Sequence, residues 1–452
     1  MSARQQRAGS PHWKAVVMVC LLSTLVVGLS ACRGFFGQAP IAFIDPDDGG
    51  DAEVPVTITF DISGSTDPDG TIGSYVLDFG DGSTDAEGTD VADVITHDYE
   101  ESGSYTVLLT VTDNDGRIGM ASATIQVGPV MITFVANRTA QYDIFRMKAD
   151  GTDQGAVSNT PDDDLFPDLV RGTRDRIAYA TEDSQRWDIE TMTISGGGVN
   201  ALTSATQTDS NQIQPSWSGD GSKIAYASNE LNGTVDTSWE IFTMTSAGGT
   251  KTKLTSQTPS WAIAPACSPV NDDILFVSDE DATGGSTIWL WDASLNGGLG
   301  DAVELRDGVG RDGDASPAFT IAPSVALNLP TGAGFSKPAW SPDGTLIAYA
   351  AERTAGGIID IYIMDADGMD PTDGIGDPIT LEDYIDFLGV LNTDITTDDD
   401  EFCPYWLEDG SAVCFVKADT GGDYQIYKVA LDTGVITKLT ETGNNLTPTS
   451  KR

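Results

Sequence analysis

Residues 215–228 read Pro215-Ser216-Trp217-Ser218-Gly219-Asp220-Gly221-Ser222-Lys223-Ile224-Ala225-Tyr226-Ala227-Ser228, and residues 338–351 repeat the phrase with Pro338, Trp340, Ser341, Pro342, Asp343 and Gly344 ahead of another apolar run at 347–351. A phrase of this length said twice is an internal repeat, and repetition decides architecture before any single residue does. Worn copies surround the clear ones. Pro404, Trp406, Asp409 and Gly410 lead into residues 413–416, Cys267 stands where the Trp belongs in the copy at 265–269, and Pro167 opens the most degraded copy.

The second half of the phrase, an Asp-Ile-Tyr-x-Met pattern before an Asp-Gly turn, recurs more faithfully around Ile144, Ile189, Ile241, Ile288, Ile361 and Ile426. Each copy alternates apolar and polar residues over a few positions between Gly, Asp, Asn and Pro, which is strand periodicity bracketed by turn chemistry. Several copies close on Leu-Thr, at Leu202-Thr203, Leu254-Thr255 and Leu439-Thr440. Nothing after the N-terminal region reads as a long helix. A unit of about four strands repeated around six centres predicts a β-propeller, with an open β-solenoid as its rival.

Over residues 130–452 the phrase resembles the repeats of TolB-like propellers, relatives of the WD-repeat type. Insertions at about 306–337 and 371–401 interrupt the spacing and are expected on blade edges or over a channel mouth. The first copy starts at Met131 without a preceding Pro-x-Trp-Ser strand, while residues 448–450 begin such a strand at the other end. A closed ring is therefore expected, in which residues 446–450 pair with residues 132–136 and remove two open sheet edges.

Upstream, residues 40–128 form a different module. Asp78-Phe79-Gly80-Asp81-Gly82, His97-x-Tyr99 and the strict alternation of residues 105–111 predict a β-sandwich of half-buried strands. With the Ser65-x-Asp67-Pro68-Asp69-Gly70 turn these residues resemble the polycystic-kidney-disease (PKD) domain, an immunoglobulin-like module that acts in its family mostly as a spacer or adhesion unit. The expected fold class is thus all-β, an immunoglobulin-like sandwich followed by a six-bladed TolB-like propeller at 129–452.

Arg4, Arg7 and Lys14 precede an apolar run at 15–29, and Leu29-Ser30-Ala31-Cys32 ends it. This pattern is that of a signal peptide at 1–31 closing on a lipobox, with a retained anchor as the alternative. Resemblance to bacterial lipoproteins implies acylation of Cys32, a tether at 32–39, and, with Arg33 next, sorting to the outer membrane. Several acyl chains anchor stably where one does not.

The whole chain carries 24 basic against 69 acidic residues, a formal charge of −45. Nucleic acid and acidic membrane surfaces are poor partners for it. The acidity reads as solubility of an exported protein, or locally as calcium binding at Asp67, Asp69, Asp113 and Asp115, where carboxylates alternate around turns. Cys403 and Cys414 fall on neighbouring strands, either as two buried thiols or as a disulfide.

Catalytic options are few. Of two histidines, His12 lies in the leader and His97 reads as structural, so the propeller has no histidine for a triad or a multi-histidine metal site. Paired channel carboxylates remain an option for glycan chemistry. Trp217, Trp340 and Trp406 read as core between blades, and Asp220, Asp343 and Asp409 as turn residues.

The reading that follows is a lipid-anchored, non-enzymatic envelope protein whose propeller docks a protein partner. The alternative is a glycan-binding or carbohydrate-active protein. In TolB-like proteins the propeller is a partner-binding surface of the periplasmic Tol-Pal system; the α/β domain of that family is replaced here by the sandwich. Replacing Cys32 with Ser is expected to leave an unprocessed precursor that takes up no labelled acyl chain, measured by metabolic labelling and gel mobility; normal lipidation of the variant refutes the assignment.

Overall fold

The computed structural model describes residues 37–47, 55–92, 94–100, 103–138, 141–171, 175–183, 186–203, 210–231, 234–256, 261–278, 287–295, 301–305, 314–315, 337–352, 359–366, 379–388 and 401–451. From residue 131 onward these form six antiparallel sheets. Blade 2 (Asp164–Leu169, Arg176–Asp183, Arg186–Thr193, Asn200–Ala201), blade 3 (Gln212–Trp217, Lys223–Leu231, Thr234–Thr245, Thr252–Lys253) and blade 4 (Ala262–Cys267, Ile274–Ser278, Thr287–Asp292, Asp301–Glu304) each run in simple chain order. Blade 6 (Glu401–Trp406, Ala412–Ala418, Tyr424–Ala430, Ile436–Lys438) does the same.

Blade 5 departs from this pattern at its innermost strand. Asp314–Ala315 and Ala339–Trp340 both pair with Leu346–Glu352, so one strand is delivered in two pieces. The expected insertion at 306–337 thus enters on an inner strand; its residues 316–336 lie outside the described ones. The second insertion carries the blade's last strand, Ile379–Thr380, and a helix, Leu381–Phe387. Thr380 caps that helix by accepting from the Asp383 amide (3.1 Å) and donating to its carboxylate (2.9 Å). Leu381, Tyr384 and Ile385, spaced for one helical face, pack with Trp406, Val413 and Phe415 of blade 6.

Both faces of a blade are apolar, as shown by Ile274–Ser278, which is buried at every position. Such a sheet is stable only between two neighbours. Trp217, Trp340 and Trp406 are buried to 8% exposure or less and belong to the cores formed where blades meet. The turns after them share one construction. Ser218 and Ser222 hydroxyls donate to Asp220, holding its carboxyl down at about 2, while Gly221 takes φ 69°, a left-handed conformation unfavourable for residues with a Cβ. Ser341, Asp343 and Gly344 repeat it.

A polar lock recurs at a fixed spacing. Thr203 donates to Asp188 (3.1 Å) and accepts from the Ile189 amide (2.7 Å); Thr255 does so with Glu240 and Ile241, and Thr440 with Gln425 and Ile426. Each hydroxyl thereby satisfies a buried side chain and a strand-edge amide together.

Blade 1 is completed from both ends of this region. Asn445–Lys451 pairs with Met131–Ala136, the expected partner strand, with Leu446 opposite Val135 and Ser450 opposite Ile132. Asn445, wholly buried, donates to Gln425 of blade 6 and accepts from Arg138, tying three segments at the seam.

The upstream module is a sandwich of two sheets, Asp45–Pro46, Val56–Asp61 and Ile95–Tyr99 facing Ala86–Gly88, Ile72–Asp78, Gly103–Asp113 and Ile118–Val127. Val107, Leu109 and Val111 are buried while Leu108 is exposed, the alternation expected of a sheet with one wet face. Gly80 (φ 75°) lies so close that a Cβ there would collide with the Thr106 carbonyl.

Ending the chain before Asn445 removes the buried Leu446 and opens an edge on blade 1. Loss of one buried leucine alone costs about 2–5 kcal/mol, so the melting temperature is expected to fall by about 5–10 °C or more. Unchanged melting would refute the closed ring.

Candidate functional site: the axial ring

The innermost strands converge on a cavity of ≈ 40 Å³ lined by residues of five blades. Each contributes the residue before its repeat proline: Thr447 from blade 1, Phe166 from blade 2, Gln214 from blade 3, Lys337 from blade 5 and Cys403 from blade 6, with Pro167, Pro215, Pro338, Pro404 and Pro448 beside them. Ala264 holds the same repeat position in blade 4.

Backbone conformation marks this ring. Phe166, Gln214, Ala264, Cys403 and Thr447 all have φ between 45° and 56° although none is glycine. At each one the ladder to the second strand slips, leaving unpaired residues between Leu165 and Asp168, Ile213 and Ser216, Ile263 and Ala266, Phe402 and Tyr405, and Leu446 and Thr449. These are β-bulges, which re-aim side chains and are common near binding sites. Repetition in five blades assigns the bulge to architecture; the side chains mounted on it differ from blade to blade. The proline was visible in the sequence, but the left-handed residue before it was not, because pre-proline positions favour extended backbone.

Neighbouring blades are stitched at the same level. Gln214 accepts from the Ala264 amide (2.9 Å), Asp168 from the Trp217 amide (2.7 Å) and Ser216 from the Cys267 amide (3.1 Å). Cys267 takes the Trp position as expected, and its thiol donates to the Ser216 carbonyl (3.4 Å), much as the Trp340 indole donates to Ala266. Burial pushes the thiol up to about 11, so it is protonated at neutral pH. A cleft of ≈ 290 Å³ lies between blades 3 and 4 at this smaller residue, lined in part by Cys267, Leu254 and Trp291 and bordered by the Lys223–Asp272 ion pair.

The other singled-out residues sit apart from the ring. His97 stacks on Phe79 (3.9 Å between ring centres) and bonds Asp81 (2.7 Å), a packing role inside the sandwich. Burial opposes ionisation of Asp81, but hydrogen bonds from Ser83 and His97 prevail and hold it at about 2. Asp113 accepts from the amides of Asp115 and Arg117, and the Arg117 guanidinium reaches both Asp113 (3.4 Å) and Asp115 (2.8 Å). Asp67 accepts from the Asp69 amide, and Asp69 from that of Gln38. Among the described residues no group of three or more His, Cys, Asp or Glu is arranged to hold a metal. Cys403 and Cys414 are buried thiols outside any disulfide, with burial pushing both up to about 12. Cys32 lies outside the described residues.

One carboxylate pair escaped sequence reading. Asp164, opening the inner strand of blade 2, lies beside Asp143 of blade 1, both 1% exposed or less. Burial, reinforced by the Asp143 charge, outweighs hydrogen bonds from Thr181, Ser158 and Thr160 and raises Asp164 to about 6. Neither residue lines the axial cavity. A carboxyl that titrates at about 6 folded and at an ordinary 3.8 unfolded binds its proton more tightly when folded. Its contribution is present below the unfolded value and is lost as pH rises through about 6. Asp164→Asn is therefore expected to stabilise the protein at pH 7.5, by about 3 kcal/mol at most, with the difference disappearing below pH 4. Denaturant titrations at the two pH values check it, and a pH-independent difference contradicts it.

Residues 38–127 match the family model of the PKD domain. A microbial collagenase of Vibrio alginolyticus is 40% identical over 89 residues, 20% of this chain and 10% of that protein, so the chain matches about a tenth of that relative's length. Among solved structures, TolB from Acinetobacter baumannii is similar at 17% identity and TM-score 0.48, covering 78% of this chain and 81% of that one. Hydrazine synthase of Kuenenia stuttgartiensis is similar at 14% identity and TM-score 0.51, covering 71% and 46%. The latter is a likeness of fold alone. The chain is thus all-β, a PKD domain at 38–127 followed by a six-bladed propeller whose first blade is closed by residues 445–451.

Proposed function

We propose that this protein is a non-enzymatic binding module of the bacterial cell envelope, lipid-anchored through Cys32, in which the PKD domain spaces the propeller from the membrane and the propeller docks a protein partner at its axial ring. The observation that carries the reading is the composition of that ring. Among the described residues its cavity of ≈ 40 Å³ is lined mainly by proline, aromatic and small residues and by no Asp or Glu, the makeup of a contact surface rather than of an acid-base pair. A PKD domain preceded by the N-terminal pattern of a signal peptide suits an exported chain, as does the dispersed acidity.

A second reading, glycan chemistry by paired carboxylates, is favoured by Asp143 and Asp164, whose environments raise one of them. Their burial at the junction of blades 1 and 2 weighs against it, since a reacting glycosidic oxygen must reach within hydrogen-bond distance of the acid.

Photo-crosslinking decides between these. A benzophenone side chain replacing Tyr405, which lines the cavity, is expected to give one dominant adduct in envelope fractions, and the same group replacing Val199, 58% exposed on blade 2, is not. Equal adducts from both positions refute axial docking. Glycan turnover that disappears in Asp164→Asn replaces it with the second reading.

A further inference from the structure

Among the described residues the axial ring gathers donors and no carboxylates, in a chain whose formal charge is −45. Gln214 is 1% exposed and its amide orientation is fixed, because Oε1 accepts from the Ala264 amide at 2.9 Å; Nε2 is consequently the donor end, and it has no hydrogen-bond partner. Thr447, 8% exposed, likewise has an Oγ1 without a partner. Leaving such groups buried and unpaired is destabilising, which is sustained where a bound species completes them. Lys337 lines the same cavity and spends one N–H on the Pro215 carbonyl (3.3 Å), leaving the rest of its ammonium for another acceptor.

These three groups come from blades 3, 1 and 5, one from each, all at the residue before the repeat proline. A lysine ammonium, a primary amide N–H₂ and a hydroxyl are a donor set for an oxyanion, and two of the three are already dry, which strengthens a charge-assisted bond. The cavity's ≈ 40 Å³ is more than one water needs and accommodates a carboxylate head. Apolar Phe166 and the ring prolines make up much of the remaining wall.

We propose that the axial cavity is a carboxylate-binding site formed by Lys337, Gln214 and Thr447, taking either a small free carboxylate or the terminal carboxylate of a polypeptide. The site deepens the docking reading above, naming the group that a partner would present, and it stands or falls separately from it. Cross-linking at position 405 without any carboxylate effect sinks this proposal alone; carboxylate binding without a dominant cross-link sinks only the protein-docking reading.

The test is thermal unfolding of the full chain titrated with sodium acetate, against sodium chloride at matched ionic strength. A saturable rise in melting temperature of several degrees with acetate, and not with chloride, is expected for the unaltered protein. Lys337→Met and Gln214→Leu should each fold and lose most of that rise, and Thr447→Val should reduce it. N-acetyl-diglycine and its amide then separate the sources: a greater effect of the acid than of acetate, absent for the amide, assigns a chain terminus, while equal effects of both acids assign a free carboxylate. A linear, unsaturating response, or an equal acetate response in the Lys337 and Gln214 variants, overturns the site. Should Lys337→Met fail to fold, the Gln214→Leu comparison and isothermal titration of the unaltered protein with acetate still decide it.

Discussion

Each blade of this protein has two apolar faces and no other means of keeping them from water. Ile274–Ser278 is buried along its whole length, and Gln212–Trp217 and Asp164–Leu169 are buried at all six positions. Burial stabilises in proportion to the area removed from water, so a lone blade loses what a stacked one gains. Stacking in turn requires that the last blade find the first, and the Pro-x-Trp phrase, the inter-blade amide bonds and the seam at Asn445 all serve that one requirement. Blade identity is secondary to it: where the indole is replaced by Cys267, the ring persists with a cleft in place of a contact.

The polar interior follows from the same geometry. Strand edges and turn ends inside a stack must be satisfied locally, and the chain uses one hydroxyl per lock, fifteen residues after its acceptor in blades 2, 3 and 6. The two acidic locks each add a cation, Arg186 on Asp188 and Lys253 on Glu240, both at 3.0 Å, while the third uses the neutral Gln425. Blade 1 keeps Ser158 on the Ile144 amide at the corresponding place (2.8 Å), and its acid, Asp143, adds to the burial that raises Asp164. The cost of each of these buried carboxylates is thus set by which neighbour it meets.

Much of the architecture was legible because it is written by repetition. Pro215 to Gly221 and its copies announced blades, the alternation of Tyr105 to Val111 announced the sandwich, and the two incomplete ends announced their pairing. The roles of Trp217 and Asp220 as core and turn were equally readable, since a residue recurring from unit to unit serves the unit. The ring was not legible in the same way. Its side chains are Thr447, Phe166, Gln214, Ala264, Lys337 and Cys403, different in every copy, and only their shared backbone position makes them a set. Nor does sequence place Asp164 against Asp143, or put Arg117 on Asp113 and Asp115; those meetings depend on how turns fold back, which composition does not encode. The short helix at Leu381–Phe387 was hidden within an insertion.

The strand that closes blade 1 has a consequence for how the molecule is made. Thr133 and Thr449 share a hydrogen bond across 316 positions of chain, an interval that a ribosome covers in about 15–60 s. Throughout that time blade 1 has an unpaired inner edge, and blades 2 to 6 can assemble only as an open arc. Joining ends so far apart adds little entropy cost compared with a shorter loop, because that cost grows only with the logarithm of length; the delay is one of supply. The nascent chain therefore reaches its closed state only once residues 445–451 have emerged, and whatever guards its exposed edge must act until then.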